Sequence, residues 1–582
     1  MKRNMIFKNA LVVMAAFVAG AMTTACSDWD DHYDPTDATS GSATSTLWRN
    51  IQTNSELSEF AELVRKTGYD KILDASQTYT VWAPLNGTFD FNTLSAQGNE
   101  KLLKEFVQNH IARSNYPASG SINERVTMLN KKVLGFVGNG SYTMDGVDLT
   151  KTNLPSTNGV LHLLNHKLDF RANIYESLDA SEFPIDSVSD YYHSFDLKVL
   201  NESKSIIGPV VNGEITYLDS VMDESNSRFL VYRALINEED SNYTMVVPTN
   251  EAWVKARQVI APFYKYVDNF VYTNNPVASS NNTEDVNIDA AYLTDSITHL
   301  ALMQSLFFNN NLYDNGKLKN LATGQRLQCD SLVSTTMTKL YPEDAANYFE
   351  GAIRVNKSNG AIFVTDSLRL HPWSFWNKPI TIEAETPSVY GGVSGGTAVT
   401  REVQPTEQNP AVKGTISNGN YLEVSSSGNS SSQQINLFLP GVLSTTYHFY
   451  AVFVPAHITN VYAPDSLPAT FQAQLFYNRE NGTKSVAPKN LGTFVTDPTK
   501  VDTIDMGEFE FPIAYAHTGT GTTEYAPYIR ISSRARSDKS FDSVLRLDCL
   551  RLVPKELDDY MREHPDYVYP KDWGSIRINI NY

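Results

Sequence analysis

Cysteine is nearly missing: Cys26, Cys329 and Cys549 are the three in 582 residues. Neither Cys329 nor Cys549 has the partner spacing of a metal or redox site, and a disulfide framework is not indicated, so the chain must hold itself together by burial, which its length allows. Cys329 and Cys549 read as small buried apolar residues. Positive charge is also scarce. The 47 Lys and Arg face 65 Asp and Glu, a formal net charge of −18, which argues against nucleic acid as a partner. The apolar run from Ala10 to Ala21 falls short of the roughly 18 residues expected of a membrane span. There is no His-Glu-x-x-His, no phosphate-cradling glycine loop and no Cys-x-x-Cys, which removes the common metalloprotease, nucleotide and dithiol chemistries.

What is there begins with an address. Lys2, Arg3 and Lys8 precede the apolar run, the layout of a secretory signal. The run ends in Thr23-Thr24-Ala25-Cys26, which resembles the lipobox of bacterial lipoproteins. The resemblance implies removal of residues 1–25, lipidation of Cys26 and a lipid anchor in the outer membrane. Losing Lys2, Arg3 and Lys8, with no acidic residue among those 25, takes the net charge from −18 to −21. Ser27-Asp28-Trp29-Asp30-Asp31 resembles the surface-export tag of lipoproteins from the Bacteroidetes group, which implies Asp28, Asp30 and Asp31 as an export signal; a solvated linker is the alternative. Residues 26–45, rich in Ser, Thr, Ala and Gly towards their end, read as a flexible tether.

Two phrases then recur in order. Tyr79 to Phe89 reads Tyr-Thr-Val-Trp-Ala-Pro-Leu-Asn-Gly-Thr-Phe, and Tyr243 to Trp253 reads Tyr-Thr-Met-Val-Val-Pro-Thr-Asn-Glu-Ala-Trp. Asn158-Gly159-Val160-Leu161-His162 follows the first, and Asn359-Gly360-Ala361-Ile362-Phe363 the second. Such recurrence predicts two copies of one domain. The proline ends each strand because it has no N–H to give a sheet, and Thr249 or Asn250 can cap the next helix. Each Asn-Gly is a turn into a strand. These segments resemble the fasciclin-type (FAS1) domain, which implies two α/β domains, at 46–175 and 176–376, of an adhesive kind. Leu57, Phe60, Ala61 and Val64 fall at helical spacing with Gly68 as the stop. Leu102, Leu103, Phe106 and Val107 predict a second helix ending near Asn109-His110. His110 matches a family histidine and reads as a hydrogen-bonded core residue; Phe307 to Asn311 offers no counterpart. The second copy is longer, and its surplus around Asn274-Asn275-Pro276 and Ser279-Ser280-Asn281-Asn282 reads as a loop.

After Pro372 the texture changes to short β-forming runs between turns. Gln434–Leu439, Tyr447–Val454, Phe471–Tyr477, Tyr528–Ser532 and Val544–Leu552 predict strands of an all-β sandwich over 377–556, followed by an extended, aromatic tail at 557–582. The opening Ile380 to Glu385 and the closing Leu545 to Leu552 resemble the end strands of jelly-roll carbohydrate-binding modules with a galactose-binding-like fold. That resemblance implies a structural calcium, the one cofactor expected, held by Glu383, Glu385 and Asp548, since oxygen ligands suit the hard ion; hydrogen-bonded edge carboxylates remain the alternative. Tyr390 and Tyr525 stand beside glycine-rich turns, where a tyrosine can stack on a sugar ring or simply pack. Gly392-Val393-Ser394-Gly395-Gly396 fits a nucleophile-elbow pattern, but strand-like residues follow where a helix is needed. His162 and His166 could share a metal, yet no third ligand follows. No catalytic residue is expected, and the chain reads as a surface-anchored binding protein for extracellular glycan or matrix protein. The alternatives are an accessory lipoprotein beside an outer-membrane polysaccharide transporter, and a polysaccharide hydrolase or lyase, for which two placed carboxylates would be needed.

Overall fold

A computed structural model describes residues 43–179, 182–211, 213–268, 270–271, 285–286, 289–323, 331–426, 433–459, 466–483, 487–516, 527–535, 540–567 and 569. Cys26, Asp28, Asp30, Asp31, Cys329, Tyr525 and the polar segment from Asn274 to Asn282 lie outside them. Among the described residues no helix is long and apolar enough to cross a membrane. They form two compact units, one reaching to Phe170 with Leu200–Val221 added, the other holding 171–199 and everything from Met222 on.

The first unit opens with helices α1 (Leu47–Thr53), α2 (Ser58–Lys66) and α3 (Asp70–Asp74). The Thr46 side chain caps α1 by accepting from the Arg49 N–H, and Gly68, at φ +75°, turns the chain away after α2 as only glycine does cheaply. Phe60, Leu63 and Val64 bury the inner face of α2. Strand β1 (Tyr79–Pro84) is buried at all six positions. After α4 (Phe91–Ala96) and α5 (Asn99–Leu102), a π turn and a 3-10 turn end at His110. Then come β2 (Ile111–Arg113), β3 (Ser121–Thr127), β4 (Val133–Asn139), β5 (Ser141–Met144), β6 (Val147–Ser156) and β7 (Gly159–Leu164). They build one sheet in the order β2-β1-β7-β6-β5-β4-β3, with β1 parallel to β7 and Tyr79 opposite Gly159. Trp82 is fully buried, edge-on to Phe136 at 5.7 Å and stacked on His162 at 5.6 Å.

Beyond it come α6 (Asp186–His193), the strands β8 (Asp196–Leu200), β9 (Ile206–Val211), β10 (Glu214–Asp219) and β11 (Met222–Asn226), then α7 (Ser227–Val231). β9 pairs with β10 and β8 with β11. The second α/β half then follows with β12 (Tyr243–Pro248), α8 (Asn250–Ile260), β13 (Phe270–Val271), β14 (Asp285–Val286), α9 (Ala290–Met303), β15 (Phe307–Asn309), β16 (Leu332–Val333), β17 (Lys339–Leu340), α10 (Pro342–Phe349), β18 (Ile353–Lys357) and β19 (Gly360–Thr365). β12 runs parallel to β19 with Tyr243 opposite Gly360, the register seen for β1 and β7.

The recurring asparagines do the same work in both halves. Asn158 accepts from the Leu47 N–H at 2.8 Å and donates to the carbonyls of Leu73 and Ala75. Asn359 accepts from the Ile174 N–H at 2.9 Å and donates to those of Ile236 and Glu238. The capping expectation holds through Thr249, which caps α8. Asn250 reaches back to the Ser187 N–H in α6 at 2.8 Å, as Asn86 does to that of Glu59 at 3.0 Å. In the first half Leu85 replaces the capping threonine, and the next helix waits for Asp90 to cap it. The extra length of the second half includes α9 and α10, not loop alone.

The chain then crosses through α11 (Pro372–Phe375) into β20 (Ile380–Glu383), β21 (Tyr390–Ser394), β22 (Gly396–Glu402), β23 (Asn420–Ser426), β24 (Gln434–Phe438), β25 (Thr446–Phe453), β26 (Thr470–Phe476), β27 (Lys489–Val495), β28 (Asp502–Glu510), β29 (Tyr528–Ser533) and β30 (Leu545–Pro554). One sheet runs β22-β23-β30-β25-β28 with β20 also on β30; the other runs β21-β24-β29-β26-β27. Their apolar faces meet in a core of residues such as Ile435, Phe449, Phe471, Ile531 and Leu550. The Gly-x-Ser-x-Gly pattern spans the β21–β22 turn, with strand on both sides of Gly395, so it is no nucleophile elbow. At the start of the expected extended tail, α12 (Lys555–Glu563) forms instead; residues 568 and 570–582 of that tail lie outside the described residues. Its inner face carries Leu557, packed with Trp373, Val553 and Tyr569. His448 secures it from β25, with Nδ1 2.8 Å from Asp558 Oδ2 and Nε2 2.6 Å from Asp505 Oδ1. The Ser444 hydroxyl, on the approach to β25, donates to the Pro262 carbonyl at 2.8 Å and accepts from the Lys265 N–H at 2.9 Å, which joins the sandwich to the second α/β half.

Candidate functional site

Two features of the sandwich carry chemistry. The first is the outward face of the five-stranded sheet. Strand alternation sends Ile435, Leu437, Phe471, Ala473, Leu475, Ile529 and Ile531 inward, and so sends the residues between them outward. Register lines these up in rows. Phe438, Tyr528 and Phe476 face one another across β24, β29 and β26. The next row is Asn436, Arg530 and Gln474, and the one after it Gln434, Ser532 and Gln472. Phe476 and Tyr528 stack at 4.4 Å and 10°, and Phe438 meets Tyr528 edge-on at 6.0 Å. Tyr528 and Phe438 are nearly buried at 4% and 5%, whereas Phe476 is half-buried. Gly391 makes room for the Phe438 ring, since a Cβ there would stand 2.9 Å from it. The Arg530 guanidinium lies 4.7 Å from the Phe476 ring centre, and its Nε donates to Asn436 Oδ1 at 2.9 Å. Gln472 donates to Asn490 on β27 at 3.0 Å. An aromatic row bordered by rows of amides suits a ligand with apolar faces and many hydroxyls.

This face escapes the sequence reading, although a signal for it exists. Gln434-Ile-Asn-Leu-Phe438 and Gln472-Ala-Gln-Leu-Phe476 share one pattern, amide, apolar, amide, Leu, Phe. Of the tyrosines expected at the site, Tyr390 opens β21 with its backbone opposite Leu437.

The second feature is the acidic cluster at the pairing of β20 with β30, where Glu383 faces Cys549. Ligand atoms of Glu383, Asp548 and Cys549 lie within 4.8 Å of one another. Asp548 is fully buried, and burial pushes its carboxyl up to about 8, with the charges of Glu383 and Glu385 adding and Arg551 opposing. Burial likewise raises Glu385 to about 7 and Glu383 above its ordinary range. The turn at Ser417 closes over them: its N–H is shared by both Asp548 oxygens at 3.1 Å, and its hydroxyl donates to Glu383 Oε1 at 2.6 Å. Glu383 Oε2 and Glu385 Oε2 are buried without a hydrogen-bond partner. Glu383 and Asp548 bring carboxylate oxygens together out of water, which fits a hard divalent cation, while Glu385, expected beside them, is not among the grouped ligands. Burial drives the Cys549 thiol well up, so it stays neutral.

His110 and His162 are structural, and His166, the other histidine of the expected pair, has Nδ1 3.3 Å from the Thr88 carbonyl. His110 donates from Nδ1 to the Phe106 carbonyl and accepts at Nε2 from the Leu168 N–H. His162 donates from Nε2 to the Tyr116 carbonyl and accepts at Nδ1 from the Asn153 N–H. Burial holds both near 4, so each is neutral at ordinary pH, and neither has a nitrogen left for a metal.

Among solved structures, the chain is similar to the FAS1 domain pair of the insect cell adhesion molecule Fasciclin I, at 14% identity and a TM-score of 0.20 over 55% of this chain and 99% of that one. It is similar to a family 35 carbohydrate binding module from Clostridium thermocellum at 13% identity and a TM-score of 0.17, over 30% of this chain and 97% of that one. It is also similar to the CBM22-2 xylan-binding domain of Paenibacillus barcinonensis Xyn10C at 11% identity and a TM-score of 0.18, over 30% and 98%. No curated protein matches the chain. Residues 55–169 match the Fasciclin domain family.

Proposed function

We propose that the chain is a lipid-anchored, surface-exposed binding protein that holds an extracellular glycan on the five-stranded sheet of its sandwich. The observation that carries this is the register of that sheet, which sets Phe438, Tyr528 and Phe476 in one row beside rows of Asn436, Gln474, Gln434 and Gln472. Sugar C–H faces stack on the exposed part of Phe476, and the partly exposed amides of Gln474 and Gln434 meet the hydroxyls. Calcium at Glu383, Glu385 and Asp548 serves the fold, joining the first strand of the sandwich to the last. The second α/β half is a second fasciclin-like domain, on the grounds of its matching β12–β19 register and the matching bonds of Asn359, and the pair supplies adhesion and reach. The protein works by binding, with Cys26 as its anchor and Asp28, Asp30 and Asp31 as its export signal.

The test is a glycan array probed with the full chain, beside Phe476→Ala and Gln474→Ala variants. Binding by the parent that falls about tenfold in the variants, with unchanged melting, is expected for loss of one stacking or amide contact plus its cooperativity. Glycan binding that ignores both substitutions would move the site off this sheet.

A further inference from the structure

The same face differs from the rest of the chain in charge, and this bears on which glycan it takes. On β24, β26, β27 and β29, the outward residues among those described are amides, hydroxyls, aromatics, Val495 and Arg530; none is acidic. Just past the end of β29, Arg534 donates to Gln472 Oε1 on this face. The other sheet is built differently. There Arg401 pairs with Glu423 at 2.8 Å, and Arg546 pairs with Glu423 at 3.2 Å and with Asp542 at 2.7 Å. Arg530 and Arg534 have amide oxygens as their hydrogen-bond partners and meet no carboxylate among the described residues. In a chain of net charge −18, two arginines left beside neutral partners keep their full charge on a face otherwise free of charge.

Resting on the glycan reading of this face, we infer that its ligand is an anionic saccharide, one carrying uronic-acid carboxylates that lie on Arg530 and Arg534. An anionic polymer approaching a strongly acidic protein is repelled unless local cations receive it, and here they stand inside the candidate site. Arg530 is held for the task. Its Nε is engaged by Asn436 and its plane packs near Phe476, which leaves the two terminal nitrogens to meet a planar carboxylate as a fork. Holding that plane in advance lowers the ordering cost of binding. Phe476, beside it, takes the apolar face of the adjoining ring. The choice of carboxylate over sulfate rests on the planar two-point fit.

The experiment titrates the full chain calorimetrically with polygalacturonate and glucuronoxylan, with the carboxyl-reduced form of each, and with a sulfated galactan, at about 20 and about 300 mM NaCl. Uronate polymers should bind about tenfold or more tightly than their reduced forms, and this advantage should shrink at the higher salt. Arg530→Gln and Arg534→Gln should each remove most of that advantage at the lower salt, bringing the affinity for the charged polymer to within about twofold of the same variant's affinity for the reduced form. Arg534 is exposed, so its variant stays informative if Arg530→Gln loosens the sheet. Equal binding of charged and reduced polymers would overturn the inference and leave the glycan site standing. Tighter binding of the sulfated galactan would overturn the choice of carboxylate. No binding of any saccharide would remove the site itself, and the inference with it.

Discussion

Replacing the buried Asp548 by asparagine sets two costs against each other, and the sign of the result depends on calcium. Asp548 is fully buried, and its carboxyl rises from 3.8 to about 8, a difference of about 5 kcal/mol between its protonation states. Because the folded value lies above the unfolded one, the contribution of this group to stability is complete below about pH 4 and is lost as pH rises through about 8. Glu385, raised to about 7, adds the same sign over a lower window. A bound divalent cation needs the charged carboxylates and so repays the cost, with about 2.7 kcal/mol gained at a hundredfold excess over Kd. Asparagine keeps an oxygen for the Ser417 N–H and deletes the charge. In chelator at pH 8, Asp548→Asn should therefore be the more stable protein, by up to about 5 kcal/mol, and at pH 5 the gap should shrink to about 1–2 kcal/mol. In calcium at pH 8 the parent should gain several degrees in the sandwich melting transition, at about 2–4 °C per kcal/mol, and the variant none. Scanning calorimetry with calcium and with chelator, at both pH values, reads all four cases. A parent indifferent to calcium at pH 8, with a variant destabilised alike in every buffer, would refute the cation site and leave a hydrogen-bonded carboxylate balanced by Arg551.

Gly159→Ala and Gly360→Ala should each cost more than about 4 kcal/mol, because the new Cβ would stand 1.8 Å from the Tyr79 carbonyl oxygen or 1.9 Å from that of Tyr243 at a φ near +140°; a denaturation curve with an unchanged midpoint would contradict this. His110 and His162, both lowered from 6.5 to about 4 by burial, stay neutral in the folded state while the unfolded chain takes up protons. Stability of the first unit should fall as pH drops from 6.5 to 4, by at most about 3 kcal/mol per histidine. His162→Gln should flatten that slope in pH-dependent melting, and a slope equal to the parent's would sink the assignment. Cys26→Ala should abolish lipid labelling in cells, and changing Asp28, Asp30 and Asp31 together to Ala should leave the protein anchored but protected from external protease; equal cleavage of parent and triple variant would end the export-signal reading.

What could be read in the sequence was local. The Tyr79 and Tyr243 strands, the Asn-Gly turns at 158 and 359 and the helical spacing of Leu57, Phe60, Ala61 and Val64 follow from proline, glycine and apolar spacing, and the structure places each of them in a strand, turn or core. Trp82 and Val246 each stand in a run too apolar to face water, and both are fully buried. Glu383 and Asp548 could be named as neighbours only through a family resemblance, since nothing short of the β20–β30 pairing brings positions so far apart in the chain together. The outward row of Phe438, Tyr528 and Phe476 was hidden for a related reason. Alternation shows that a residue leaves the core, but only the register across three strands shows that three aromatics leave it side by side. The choice between Thr249 and Asn250 stays open in the sequence: a side chain at a helix start can cap that helix or reach back to another, and packing of α6 beside α8 decides it. The start of the tail forms α12 because Leu557 and Met561, four apart, give it an inner edge that the neighbouring prolines and tyrosines mask in the sequence.

Hydrogen exchange of the full chain, with and without the glycan that binds most tightly on the array, tests the central claim most directly. The account predicts slowed exchange at the backbone amides of β24, β26 and β29 around Asn436, Gln474 and Arg530, with the sheet from Tyr79 to Leu164 unaffected. Protection confined to the fasciclin sheet, with the sandwich unchanged, would contradict it.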